Sequence, residues 1–96
     1  MRFDWDFRKA ASNLVKHGVS FEEATTAFDD PVNVVKFDAK HSVAYEQRNW
    51  LLGSTDSGRV VVVVFTEREF GLRIISARPA NRKERMFYET FRRIPL

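Results

Sequence analysis

Arg59-Val60-Val61-Val62-Val63-Val64-Phe65-Thr66 decides the fold. Five consecutive valines and a phenylalanine are β-branched and aromatic, and they lack the alternation of a strand with one wet face. Such a run reads as a central strand covered on both sides. At six residues, Val60 to Phe65 is far too short to cross a bilayer, and no association with a membrane is expected. Gly71 marks a tight connection into a partner strand, Leu72 to Ala77. Upstream, the polar Gly53 to Gly58 loop leads back to a strand over about Ala44 to Leu52. The three strands read as an antiparallel meander. Val32 to Phe37 supplies a further strand, separated by the turn Asp38-Ala39-Lys40-His41.

Helical periodicity flanks these strands. A brief opening strand, Arg2 to Trp5, ends at Asp6, which is suited to N-cap a helix running to about His17. That helix carries Phe7, Ala10, Ala11 and Leu14 at helical spacing. Lys16 lies in its last turn and Gly18 at the left-handed C′ position. Ser20 and Glu23 predict a capping box for a second helix, with Phe21, Ala24 and Phe28 on one face and a stop at Asp29-Asp30-Pro31. Asn81 and Glu84 repeat the capping logic for a final helix. Its apolar stripe is Phe87, Phe91 and Ile94, and its other faces carry Arg82, Lys83, Arg85, Arg92 and Arg93. The order is β-α-α-β-β-β-β-α, an α+β domain over residues 1–96. Two N-terminal helices cover one sheet face, and the last helix covers part of the other. The remainder of that face is expected to stay open as a shallow, arginine-lined surface.

Composition narrows the chemistry. The 96 residues suffice for one domain with a modest core. There is no Cys and there are two His, so neither a disulfide framework, a metal site nor a cofactor is expected. No signal peptide is visible before Trp5, and a cytoplasmic protein is expected. Residues 68–96 hold eight Lys/Arg against three Glu, whereas the preceding residues are nearly neutral. A basic C-terminal third is the footprint of a polyanion partner, although a solvated helix face gives the same count.

The motifs passed over resemble one family along nearly the whole chain. Trp5-Asp6 leads through Lys9 and Asn13 to Lys16-His17-Gly18-Val19-Ser20-Phe21-Glu22-Glu23-Ala24. Asp30-Pro31, Glu46-x-Arg48, Gly58-Arg59, Phe65-Thr66-Glu67-Arg68, Arg73-Ile74-Ile75-Ser76-Ala77-Arg78 and Glu84-Arg85 with Tyr88 follow. In order and spacing these are similar to the BrnT family of toxin–antitoxin toxins. Phe7 and Arg8 depart from the small residues or Pro common after Trp-Asp in that family. The resemblance implies a RelE-like fold, ribonuclease activity, and neutralisation by a BrnA-like antitoxin with a ribbon-helix-helix DNA-binding part.

Metal-independent RNA cleavage needs a base for the 2′-hydroxyl, cations for the phosphate and an acid for the leaving 5′-oxygen. Glu46 and Arg48, two apart on an expected strand, project from one face, with Trp50 following on it. A carboxylate beside a guanidinium is a weak base unless desolvated, and the plain alternative is a solvated ion pair. Arg68 and Arg78 each follow an apolar run and suit bidentate phosphate contact. By analogy with RelE-like nucleases, which use strand arginines and a C-terminal-helix tyrosine, Arg78 and Tyr88 join Glu46, Arg48 and Arg68 as candidate catalytic residues. The alternative for Tyr88 is a half-buried helix residue with its hydroxyl in water. Arg73, Arg82, Lys83 and Arg85 are candidate RNA contacts. His17 reads as a helix cap rather than a base, and His41 has no partner suggested by spacing. Two rivals share the scaffold: a ParE-like toxin that acts by binding gyrase, and a non-catalytic nucleic-acid or protein adaptor. Self-association of the isolated chain is expected from a half-open sheet on so small a domain.

Overall fold

The valine run occupies the middle strand of a five-stranded sheet. The computed structural model of the protein describes residues 1–44 and 46–93. The elements are β1 (Phe3–Asp4), α1 (Phe7–His17), α2 (Phe21–Thr26) with a 3-10 turn at Ala27–Asp29, β2 (Val34–Phe37) with a 3-10 turn at Ala39–His41, β3 (Arg48–Ser54), β4 (Val60–Arg68), β5 (Gly71–Pro79) and α3 (Arg82–Arg92). The strand order is β1-β5-β4-β3-β2, antiparallel throughout except for β1, which pairs parallel with β5. The expected β-α-α-β-β-β-β-α order and the meander are observed. Among the described residues, no helix is long and apolar enough to cross a membrane.

The valines divide between two apolar layers, as a strand covered on both faces requires. Val61, Val63 and Phe65 meet Phe21, Ala24, Ala27, Leu51, Ile74 and Ala77 under α1 and α2. Val60 and Val62 meet Leu52, Ala80 and Tyr88 under α3. Each fully buried valine contributes roughly 1.5–3 kcal/mol.

The inward face of α1 differs from the expected one. Ala10, Asn13 and His17 turn toward the sheet, while Phe7 is 86% and Val15 90% exposed and Leu14 is half exposed. Asn13 sets this rotation: it bonds Val19 and both backbone groups of Ala77 on β5, so its side of the helix must face the strand. At α2 only half of the expected capping box forms. Ser20 Oγ accepts from the Glu23 N–H at 3.0 Å, but the Glu23 carboxylate turns away to Arg59, at 2.6 and 2.8 Å. A bidentate charge-assisted pair displaces a single backbone bond.

Two further expectations are corrected. The strand expected from Ala44 begins at Arg48, because Val43 and Glu46 exchange both backbone hydrogen bonds and close a tight turn. Glu46 therefore precedes β3. On α3 the Asn81–Glu84 capping box is complete, yet the stripe Phe87–Phe91 is exposed rather than buried. Those two rings form an edge-to-face pair 4.9 Å apart, and Tyr88 is the residue that seats the helix. Ile94, expected to extend the stripe, lies outside the described residues, as does Tyr45. The apolar layer beneath α3 is confined to one end of the second sheet face.

One irregularity governs that face. Val64 pairs with Ser76 but Phe65 pairs with Ile74, leaving Ile75 as an extra residue in β5. Arg73 and Arg78 are five apart and would point to opposite faces of a regular strand. Across the bulge they pair with Thr66 and Val62, which share a face of β4, so both arginines emerge on the open side.

Candidate active site

The register builds a row of polar residues across the open face. Arg48 on β3, Thr66 on β4 and Arg73 on β5 are successive cross-strand partners. Arg68 lies two residues beyond Thr66 on the same face, and Glu46 stands just before Arg48. Glu46 bridges two of these arginines. Its Oε1 accepts from Arg48 Nε at 3.1 Å and its Oε2 from Arg68 Nη2 at 3.4 Å. Thr66 is buried beneath them, with its hydroxyl accepting from Arg68 Nη1 at 3.5 Å. The Arg48 hydrogen bond, helped by Arg68 and opposed by partial desolvation, holds the Glu46 carboxyl below its ordinary pKa.

Glu46, Arg48, Arg68 and Arg73 share a depression of about 250 Å³ with Asp6, Lys9, Ile74 and Ile75. Four cations there face two carboxylates. Asp6 is already committed, since its Oδ1 accepts from the backbone N–H of Arg8 and Lys9 and caps α1. Arg73 Nε lies 3.7 Å from Asp4 Oδ1. Arg48 and Arg68 thus hold an ionised Glu46, and Lys9 lines the same depression, which leaves room for an anionic group.

The other sequence candidates stand elsewhere. Arg78 pairs with Val62, four residues along β4 from Thr66, which places it roughly 13 Å along the sheet from the Arg48 row. It forms a two-pronged pair with Glu84 at 2.7 and 2.9 Å, and that carboxylate also caps α3. Tyr88 is 2% exposed and donates to Asp30 Oδ2 at 2.5 Å, so its hydroxyl is neither in water nor at the Glu46 cluster. Burial, and then the Asp30 carboxylate, push its pKa up to about 12. Arg82, Lys83 and Arg85 are exposed on α3, with Arg85 donating to Ala80 O at 2.7 Å. His17 lies in the last turn of α1, and His41 pairs with Asp38 at 2.8 Å. No cluster of three His, Asp or Glu side chains suited to a metal occurs among the described residues.

Sequence reasoning missed the entry of Asp6 and Lys9 into this depression. The capping position of Asp6 does fix Lys9 in the first turn of α1. Nothing local indicates that this turn overhangs the Arg73 end of β5.

Comparisons with known proteins bear on the family and the fold. The family model for the ribonuclease toxin BrnT of type II toxin-antitoxin systems matches residues 5–84, a span that includes the whole row from Lys9 to Arg78. Among solved structures, the Brucella abortus ribonuclease toxin BrnT is similar in fold, with a TM-score of 0.62 and 24% sequence identity over 85% of this chain and 99% of that one. No curated protein sequence matches the chain. The α+β architecture is accordingly the RelE-like one. Toxins of type II systems are paired with a protein antitoxin, and the chain belongs to the BrnT family of ribonuclease toxins.

Proposed function

We propose that the protein cleaves RNA at the Glu46 depression, without a metal, by attack of the substrate's own 2′-hydroxyl on the adjacent phosphate. The observation that carries this reading is Glu46 bridging Arg48 and Arg68 at a depression shared with Lys9 and Arg73. Glu46 accepts the 2′-hydroxyl proton as the 2′-oxygen bonds to phosphorus. Arg48, Arg68 and Arg73 stabilise the charge growing on the phosphoryl oxygens. The bond to the 5′-oxygen breaks, and that oxygen takes a proton from the Lys9 ammonium, leaving a 2′,3′-cyclic phosphate. The low basicity of Glu46 is an apparent obstacle that substrate removes. When the phosphate takes the guanidinium donors, the carboxylate loses the bonds that depress its pKa and becomes the stronger base.

The α3 residues Arg82, Lys83 and Arg85 extend a cationic track for the RNA backbone, with Arg78 contacting RNA beside it, and contacts to the backbone are salt-sensitive. Tyr88 is left out of the chemistry because its proton is held in a buried bond to Asp30. The antitoxin is proposed to resemble BrnA, with a ribbon-helix-helix DNA-binding part, and the pair to act in the cytoplasm. Phe7, Leu14 and Val15 on α1, with Met86, Phe87 and Phe91 on α3, leave apolar surface on a small domain. Reversible self-association of the isolated chain, read by light scattering over a concentration series, is the expected result.

The test is cleavage of a defined RNA in excess EDTA by wild type, Glu46→Gln, Arg68→Ala and Arg78→Ala. Cyclic phosphate from wild type, with Glu46→Gln and Arg68→Ala nearly inactive, is expected, and Arg78→Ala should weaken RNA binding more than turnover. Intact RNA in every lane, with DNA supercoiling blocked instead, would overturn the reading in favour of a toxin that acts by binding.

A further inference from the structure

Between the Glu46 cluster and α3 the open sheet face has a floor that the cleavage chemistry does not use. Trp50 lies two residues beyond Arg48 on the same face of β3, about 7 Å along the strand, and its cross-strand partners are Val64 and Lys36. One part of the indole packs on the Leu52–Val62 layer, and the ring stays partly exposed. It shares a depression of about 280 Å³ with Asp38, Val62, Val64, Arg78 and Glu84. The floor is aromatic and aliphatic, and the rim is a carboxylate on one side and the Arg78–Glu84 pair on the other.

This chemistry does not suit a phosphate, since both carboxylates at the rim would repel it, Arg78 is already taken up by Glu84, and the floor is aromatic and aliphatic. Nor does it suit an acyl chain, which would leave the rim charges facing hydrocarbon. A flat heteroaromatic ring fits both parts: its π-face stacks on indole and valine, and its polar edge meets donors and acceptors at the rim. The Lys36 ammonium, on the neighbouring strand, rests over the indole ring 5.9 Å from its centre; a stacking base displaces this flexible side chain, which then meets the phosphate of the same nucleotide.

We propose that Trp50, with Val62 and Val64 as floor and Asp38, Arg78 and Glu84 as rim, is a nucleobase subsite that holds the base next to the scissile phosphate. This rests on the ribonuclease reading for its register relative to Glu46, but not for binding itself. The subsite gives the open face a division of labour. The arginine row holds the phosphate under attack, and the tryptophan fixes which nucleotide is presented to it.

The experiment uses the full-length protein and two single-stranded RNAs of equal length, one natural and one abasic at the nucleotide flanking the cleavage site, with a non-cleavable 2′-O-methyl group at that site for binding. Trp5 and Trp50 are the two tryptophans of the chain, so each gives its own indole N–H resonance. The natural RNA should shift the Trp50 resonance and the abasic one should not. Affinity should fall roughly ten- to a hundredfold for the abasic RNA and for Trp50→Leu, with Trp50→Phe restoring most of it. Equal shifts and equal affinities for both RNAs would overturn the subsite even if wild type cleaves normally. If the natural RNA without the 2′-O-methyl group also stays intact while the Trp50 shift depends on the base, the cleavage reading sinks and the subsite stands. If Trp50→Leu fails to fold, the two-RNA comparison on wild type decides alone.

Discussion

The side-chain amide of Asn13 bonds both backbone groups of Ala77, donating to its carbonyl at 2.7 Å and accepting from its N–H at 3.1 Å. One side chain thereby stands in for a neighbouring strand on the stretch of β5 that β1, two residues long, does not reach. Asn13→Ala should strand these groups and the Val19 carbonyl, costing about 3 kcal/mol. For a domain of this size that lowers Tm by on the order of 15 °C, measurable by thermal denaturation. Asn13→Asp should be no better, since a carboxylate cannot donate to either carbonyl.

Glu46→Gln should leave stability within about 0.5 kcal/mol, because the ion pairs it removes are partly solvated. Turnover should nevertheless fall by roughly a hundredfold or more. Arg68→Lys should also lose most activity, since an ammonium cannot reproduce the planar fork. Single-turnover kinetics beside urea unfolding would separate the two effects. Unchanged turnover in both variants would remove the cluster from the chemistry.

Tyr88→Phe should do the opposite of Glu46→Gln. Asp30 keeps its bonds from the backbone N–H groups of Val32 and Ser54 but loses the hydroxyl that pins α3. A loss of about 1 kcal/mol, or roughly 5 °C in Tm, with normal turnover per folded molecule is expected. A hundredfold slower enzyme with unaltered Tm would return Tyr88 to the reaction.

Glu23 makes stability pH-dependent. Its carboxyl is held at about 2, foremost by hydrogen bonds from Arg59, against an ordinary value of 4.5. The folded state thus binds this proton less readily than the unfolded chain. The stabilisation is complete above about pH 4.5 and is lost as pH falls toward 2. Urea midpoints should drop across that window in wild type and much less in Glu23→Gln, which should cost about 2 kcal/mol at neutral pH. Parallel pH profiles for the two proteins would refute the assignment.

The strands, their succession along the chain and the central meander were legible because the valine run announces a doubly covered strand and the glycines punctuate its neighbours, whereas the parallel place of β1 beside β5 was not. Caps at Asp6, Gly18 and Asn81 were legible for the same local reason. The inward faces of α1 and α3 were not. Periodicity favoured Phe7, Leu14, Phe87 and Phe91, whereas the helices are oriented by polar bonds of Asn13 and Tyr88 to partners 64 and 58 residues away. In the candidate site, Glu46 and Arg48 were expected together and are. Arg78 and Tyr88 entered through analogy, and the distances that separate them from Glu46 follow from a register that sequence spacing does not contain. Lys9 came within reach only through a corner formed by β1 and α1.

The extra residue at Ile75 makes the open face depend on arithmetic rather than chemistry. Whether Arg73 stands beside Arg48 or behind the sheet is settled by an odd or even number of residues between it and Arg78. Deleting Ile75 would remove no charge, no hydrogen-bonding side chain and no aromatic ring. It would nonetheless set the parity of β5 wrong, forcing either Arg73 or Arg78 into the layer beneath α1. In this toxin an unpaired isoleucine, chemically inert, is what keeps two distant arginines in the same plane.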